Sequence, residues 1–112
     1  DYTDLGSITT SSDYRVKTEI QTQELSALDR VLKIRPVTYT YADNAQFSWK
    51  ADGVRREGFI AHELADIIPS AVDGSKDAEN QVQSLRMDAI CSVLVKAIQE
   101  LSAKVAALEG VR

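Results

Sequence analysis

The sequence predicts a small α+β domain that is predominantly helical. Apolar residues recur at helical spacing along the C-terminal quarter of the chain, while the middle alternates β-branched and aromatic residues around turn signals. The chain has 112 residues, of which 44% are hydrophobic. That amount suits one modest core, because single cores commonly organise ~100–150 residues. We therefore expect one domain.

The N-terminal part predicts an irregular leader followed by a helix. Residues 1–17 are rich in Ser, Thr and Asp and lack a clear period. Thr18 followed by Gln21 fits a capping box, and Pro36 is a natural helix stop, so we predict a helix from about Thr18 to Ile34. Its apolar face would consist of Ile20, Leu25, Leu28, Val31 and Leu32.

The middle of the chain predicts a small β-hairpin or meander and then a short helix. The segments "PVTYTYA" and "QFSWKADGVRREGFI" have strand composition, and the Asp52-Gly53 pair is a turn signal. The segment "AHELADII" has helical spacing and is stopped by Pro69. The polar stretch "SAVDGSKDAENQ" that follows predicts a loop.

The C-terminal segment has the heptad pattern of a coiled coil over residues 87–109, with Gly110 as a stop. The a positions are Cys91, Ile98 and Val105, and the d positions are Met87, Leu94, Leu101 and Leu108. So short a pattern also fits an amphipathic helix packed on its own domain. Ile and Val at a with Leu at d favour two strands in isolated coiled coils, and the number of helices stays open.

The composition argues against several classes of function. Seventeen acidic residues against thirteen basic ones give a formal charge of -4, which disfavours nonspecific nucleic-acid binding. No apolar run approaches the ~20 residues of a membrane span, so we expect a soluble protein. Cys91 and His62 are the only residues of their types, so we expect neither an internal disulfide nor a zinc site. His62 lies in the predicted short helix, where a packing or surface role is expected.

The stretch "SSDYRVK" places Ser12 and Lys17 five positions apart. A neutral lysine can act as general base to a serine hydroxyl when burial or nearby charge lowers the lysine pKa from ~10.4. An extended chain could hold the two side chains up to ~17 Å apart, so a turn or a second subunit would have to join them. The alternative is that the serine and aspartate only cap the following helix and the lysine is solvated.

Four segments together resemble a known family. They are "LGSITTSSDYRVKTEIQ", "ALDRVLKIRPVTYTY", "REGFIAHELADIIPSAV" and "AIQELSAKVAALE", and the likeness extends from about Leu5 to Leu108. The chain resembles the intramolecular chaperone auto-processing domain at the C-terminus of phage tailspikes, tail fibres and endosialidases. The most specific parts are the Ser-Asp pair with its lysine, Pro36 followed by Val-Thr-Tyr, and the run from Gly58 to Ala61 with Glu63 two residues on.

The resemblance implies a self-cleaving domain with a Ser-Lys dyad. Carried over to this sequence, it implies Ser12 as nucleophile, Lys17 as base and cleavage of the bond between Ser11 and Ser12. Asp13 matches the motif too, and we expect it to orient or cap rather than to transfer a proton. Ser7 and Ser11 rank below Ser12 as nucleophiles because neither directly precedes the aspartate.

The resemblance also implies an organisation and a set of partners. Residues 1–11 would be the end of an upstream fibre and residues 12–112 the released chaperone. The expected partners are two further copies in a homotrimer and the β-rich stalk of the same chain, with no cofactor, metal, nucleic acid or membrane. Assembly is expected in the host cytoplasm, with the fibre ending in the virion tail. The alternatives are a noncatalytic trimerisation module and, more remotely, the related domain of some eukaryotic membrane-tethered transcription factors.

Overall fold

A computed structural model of the chain describes residues 11–24 and 26–110. Within these ranges it is a mixed α+β structure with one long C-terminal helix, which confirms the predicted class. The helices are α1 (Ala27–Val31), α2 (Ala61–Ala65) and α3 (Met87–Gly110), and the strands are β1 (Val37–Tyr39), β2 (Arg56–Gly58), β3 (Val72–Asp73) and β4 (Ser84–Leu85). The strands form two separate antiparallel pairs, β1 with β2 and β3 with β4.

The predicted N-terminal helix is wrong over its first half. Residues 18–24 are neither helix nor strand, and α1 begins only after Ser26. The Ser26 side chain accepts a hydrogen bond from the Asp29 backbone N–H, so Ser26 is the cap that the sequence assigned to Thr18. Glu19 has a φ of 53°, a left-handed conformation that a right-handed helix cannot contain.

A hairpin is confirmed, but its tip lies at residues 45–48 and not at the Asp52-Gly53 pair that the sequence marked as the turn. Val37 of β1 is opposite Gly58 of β2, and further out Asn44 and Trp49 exchange two backbone hydrogen bonds of 2.9 Å. A Cβ on Gly58 would lie 3.1 Å from the Tyr39 ring, which is tighter than ordinary packing. Since Gly58 belongs to the family-specific run and Val37 follows Pro36, the two motif segments form one β pair.

The polar stretch after Pro69 is more structured than the sequence predicts. Val72 and Asp73 pair with Leu85 and Ser84, so the two short strands close the intervening residues into a loop. The Arg86 N–H donates to the Ala71 carbonyl at 2.7 Å, and its Nε lies 2.8 Å from the Asp73 carboxylate. These contacts fix the start of α3 against the end of a 3₁₀ turn at Pro69–Ala71.

The core lies where α1, α2 and the 3₁₀ turn at Pro69–Ala71 meet the first half of α3. The buried residues are all apolar: Ala27, Leu64, Ile68, Ala71, Ile90, Val93 and Ala97. The predicted short helix is confirmed in its start at Ala61, but α2 ends at Ala65 and does not continue through the predicted "DII"; Leu64 is its buried residue. The core therefore uses only the first half of α3.

Candidate active site

A single tight turn positions the predicted catalytic residues. Residues Tyr14–Val16 form a 3₁₀ turn, closed by backbone hydrogen bonds of 3.2 Å from Val16 to Asp13 and from Lys17 to Tyr14. Asp13 caps the turn, since its side chain accepts from the Arg15 N–H at 2.9 Å. The turn folds the chain back on itself between residues 12 and 17.

Ser12 and Lys17 lie in direct hydrogen-bond contact. The Lys17 Nζ donates to the Ser12 Oγ across 2.6 Å, within one chain. The sequence left open whether a turn or a second subunit would join these side chains, and the structure has the turn. Ser11, the last residue of the predicted fibre segment 1–11, is exposed. The other residues of that segment, including Ser7, lie outside the described residues.

Arg15 belongs to the same turn, and no motif in the sequence identified it as a site residue. Its Nε donates to Asp13 Oδ1 at 3.0 Å and its Nη2 donates to Asp13 Oδ2 at 2.8 Å, a fork on both carboxylate oxygens. The Arg15 hydrogen bonds, from the side chain first and the backbone second, hold the pKa of Asp13 below its usual value of 3.8. The only signal for Arg15 in the sequence was its position two residues after the acidic Asp13.

The turn belongs to an exposed arm formed by residues 11–24. Every residue of this arm is exposed, including the apolar side chains of Tyr14, Val16 and Ile20. Near its end, Gln23 donates a side-chain hydrogen bond to the Ser92 hydroxyl on α3. The arm is thus tied to the domain close to α1, while its Ser-Lys pair faces water.

α3 has two apolar faces, one buried and one exposed. The face made by Ile90, Val93 and Ala97 is buried against the chain's own core. The predicted a/d seam lies roughly a quarter-turn away and is exposed. Its six members besides Cys91 are 40–72% exposed, and Cys91 is exposed too; they are Met87, Leu94, Ile98, Leu101, Val105 and Leu108.

The exposed seam changes the interpretation of the C-terminal pattern. The first half of α3 does pack on its own domain, but it does so through Ile90, Val93 and Ala97 and not through the predicted a/d residues. From Leu101 to Gly110 every residue of α3 is exposed. With a rise of ~1.5 Å per residue, the last ~15 Å of the helix has no packing partner in the described part of the chain.

The remaining candidate residues have structural surroundings. Glu63 accepts a forked pair of hydrogen bonds from Arg35, at 2.8 and 2.7 Å, which ties α2 to the segment before β1. His62 is half-buried in α2. Within the described ranges, no group of His, Cys, Asp and Glu has metal-site geometry, and no helix is long and apolar enough to cross a membrane.

Comparison with known proteins identifies the family of this chain. Residues 12–73 match the model of a peptidase family described as the chaperone of endosialidase, and this chain belongs to that family. Its similar relatives include the long tail fiber protein Gp37 of Enterobacteria phage K3 and that of phage T2. Each is 33% identical over 100 residues, or 88% of this chain. The protein of phage M1 is 30% identical over 99 residues.

The match covers only a small part of the relatives. The chain spans 8% of the length of the phage K3 protein, 7% of the phage T2 protein and 38% of the phage M1 protein. The family match begins at Ser12, the first residue of the Ser-Lys pair. It includes the arm, the β1–β2 hairpin and α2, and it ends at Asp73 in β3.

Proposed function

We propose that this chain is an intramolecular chaperone that trimerises, promotes folding of an attached phage tail fibre and then releases itself by cutting the Ser11–Ser12 bond. The observation that carries the proposal is the 2.6 Å contact between Lys17 Nζ and Ser12 Oγ in a member of the chaperone-of-endosialidase family. Ser12 is the nucleophile, Lys17 is the general base, and Asp13 orients the turn. The reaction occurs once per chain and needs no cofactor.

The position of the nucleophile determines the course of the reaction. Ser12 is on the carboxyl side of the bond to be cut, so its Oγ attacks the carbonyl carbon of the preceding residue, Ser11. Lys17 in its neutral form takes the hydroxyl proton and then delivers it to the Ser12 nitrogen as the C–N bond breaks. The product is an ester between Ser11 and the Ser12 hydroxyl. Water hydrolyses the ester to a Ser11 carboxyl group and a free Ser12.

Because the arm is exposed in the single chain, we expect cleavage to occur only after assembly. A lysine acts as a base at neutral pH where burial or nearby positive charge disfavours the ammonium form. Ser12 and Lys17 are both exposed in the single chain. We infer that packing of the arm against the folded stalk or a neighbouring copy removes water from the pair. Cleavage would then follow folding.

The exposed a/d seam of α3 supports the chaperone half of the proposal. Long β-stalks fold slowly, because distant strands must be brought together before pairing stabilises them, and unpaired edges aggregate meanwhile. Three helices joined along the seam would hold three chains in register and raise their effective concentration. The relatives of phages K3 and T2 are long tail fiber proteins. We therefore propose assembly in the host cytoplasm, with the stalk retained in the virion tail.

The decisive experiment expresses the chain behind its native stalk and follows the fusion on denaturing gels. The parent should yield a fragment whose N-terminal residue is Ser12. Ser12→Ala should abolish cutting while trimers still assemble, and Ser11→Ala, which changes the neighbouring hydroxyl, should still cleave. Hydroxylamine should trap the ester as a hydroxamate at the carboxyl end of the upstream fragment. A normal fragment from Ser12→Ala would refute the assignment of the nucleophile.

A second candidate is a noncatalytic trimerisation and folding module. The exposure of the whole arm favours it, because serine and lysine side chains in contact with water are ordinary surface groups. Intact mass separates the two candidates. A trimeric, soluble stalk fusion that keeps its full mass after prolonged incubation supports the noncatalytic module.

A further inference from the structure

The Asp13 carboxylate presents a difficulty for a Ser-Lys pair on this turn. Asp13 directly follows Ser12 and is four positions before Lys17, and the turn brings both ends of this segment together. A free carboxylate so close to a lysine would attract the ammonium group. It would both draw Nζ away from the serine hydroxyl and favour the protonated form of the lysine, which cannot act as a base.

Arg15 binds the Asp13 carboxylate, which would otherwise compete with Ser12 for Lys17. Its guanidinium donates to both Asp13 oxygens, and its backbone N–H donates to Oδ1 as well. The only hydrogen bond described for the Lys17 ammonium group goes to Ser12. The charge of Asp13 is therefore balanced within the turn by Arg15. Lys17 can then pair with the Ser12 hydroxyl.

The same contacts hold the turn in shape. A single 3₁₀ turn is marginal by itself, because few backbone bonds offset the entropy of fixing it. All described residues of the arm are exposed, so the turn has no buried apolar side chain to stabilise it. The Asp13 cap and the Arg15 fork add local hydrogen bonds in their place.

We propose that Arg15 is a positioning residue for self-cleavage, which saturates the Asp13 carboxylate so that Lys17 pairs with Ser12 instead. This inference rests on the proposed function, since it concerns the rate of the same reaction. The hydrogen bonds described for the Arg15 side chain all go to Asp13, so Arg15 acts through Asp13.

The test measures single-turnover cleavage on purified trimers of the stalk fusion. Arg15→Ala should slow cleavage roughly 3- to 10-fold, a range set by the strength of exposed, charge-assisted pairs. Arg15→Lys, which keeps one donor group and the charge, should recover part of that loss. The matched control is Arg35→Ala, which removes another exposed fork, the one on Glu63, and should change the rate less than ~2-fold.

A double variant separates charge saturation from a merely structural role. Asp13→Asn keeps an oxygen that can accept from the residue 15 N–H but has no charge to attract Lys17. In the Arg15→Ala background, Asp13→Asn should therefore restore cleavage to within ~2-fold of Asp13→Asn alone. If Arg15 only stiffened the turn, the double variant would be as slow as Arg15→Ala or slower. That result would overturn the proposal.

Two further outcomes keep this proposal distinct from the proposed function. If Ser12→Ala abolishes cutting but Arg15→Ala cleaves at the parental rate, only the role of Arg15 is refuted. A parent that never cleaves refutes both.

A measurement that does not depend on cleavage uses the isolated chain. ¹³C NMR titration of the Asp13 carboxyl should show that Arg15→Ala raises the Asp13 pKa towards its usual value. An unchanged titration would refute the contact itself.

Discussion

The short distance between Ser12 and Lys17 comes from the residues between them. Asp13 accepts from the backbone N–H and the side chain of Arg15, which closes the turn and returns Lys17 to the serine. The motif alone identified Ser12, Asp13 and Lys17. It could not identify Arg15, because the two-residue spacing between Asp13 and Arg15 does not by itself predict contact. Only the turn brings the two side chains together. At this scale the candidate residues could be named from the sequence, whereas the turn that joins them could not.

Lys17→Arg tests the base at the residue scale. Arginine keeps the positive charge and a donor for the serine oxygen but holds its proton at any ordinary pH, so it cannot act as a general base. We expect the single-turnover rate of the stalk fusion to fall at least ~100-fold, the lower end of what general bases contribute. Lys33→Arg, an exposed lysine beyond α1, is the control. Parental cleavage by Lys17→Arg would mean that another group takes the proton.

At the scale of elements, a distant residue reinforces the Ser26 cap at the start of α1. The Glu100 carboxylate on α3 accepts from the Ala27 N–H at 2.8 Å and the Leu28 N–H at 3.4 Å, which satisfies donors at the start of α1. Local sequence favoured a start at Thr18. A cap supplied from more than 70 positions away is invisible to local pattern, as is the β3–β4 pair. Elements with strong local signals, such as the hairpin, α2 and α3, were predictable.

Glu100→Ala tests this cap. The substitution leaves two part-buried backbone N–H groups without their partner, so the free energy of unfolding should fall by ~1–2 kcal/mol. Glu109→Ala is a matched control, because it removes an exposed glutamate from the same helix and should have little effect. Chemical denaturation of the isolated chain measures both. Equal stabilities of the two variants would show that Glu100 contributes nothing to α1.

The hairpin should respond to acid through Asp52. The Arg56 side chain, followed by the Val54 N–H, lowers the pKa of Asp52 from 3.8 to about 2. Because the folded-state pKa is the lower one, the stabilisation is fully present above pH ~4 and is lost as the pH falls towards about 2. Amide NMR signals of Val54 and Arg56 should shift in that window. Asp52→Asn should remove the shift, and its persistence in that variant would assign it to another carboxyl.

The structure is organised around α3, whose two apolar faces differ in exposure. Ile90, Val93 and Ala97 close the core of one chain, while the seam stays exposed. A heptad pattern predicted the seam from its spacing. The core face escaped notice although Ile90, Val93 and Ala97 also follow at intervals of three and four, because the longer a/d repeat already accounted for a helix there. We propose that this separation allows assembly to be altered without unfolding the single domain.

Leu101→Asp tests that separation. Leu101 is in the middle of the seam and lies beyond the last buried residue of α3, Ala97, so the single domain should keep its fold. In a trimer the change removes a buried side chain worth roughly 1.5–3 kcal/mol from each chain and brings like charges together in a poorly hydrated seam. We expect the isolated chain to sediment as a folded monomer with parental helix content, and the stalk fusion to be mostly insoluble. Ser102→Asp adds the same charge one position off the seam and should remain an oligomer. If Leu101→Asp stays a soluble oligomer of parental size, another surface drives assembly, and the exposed seam is not the contact that holds the fibre chains in register.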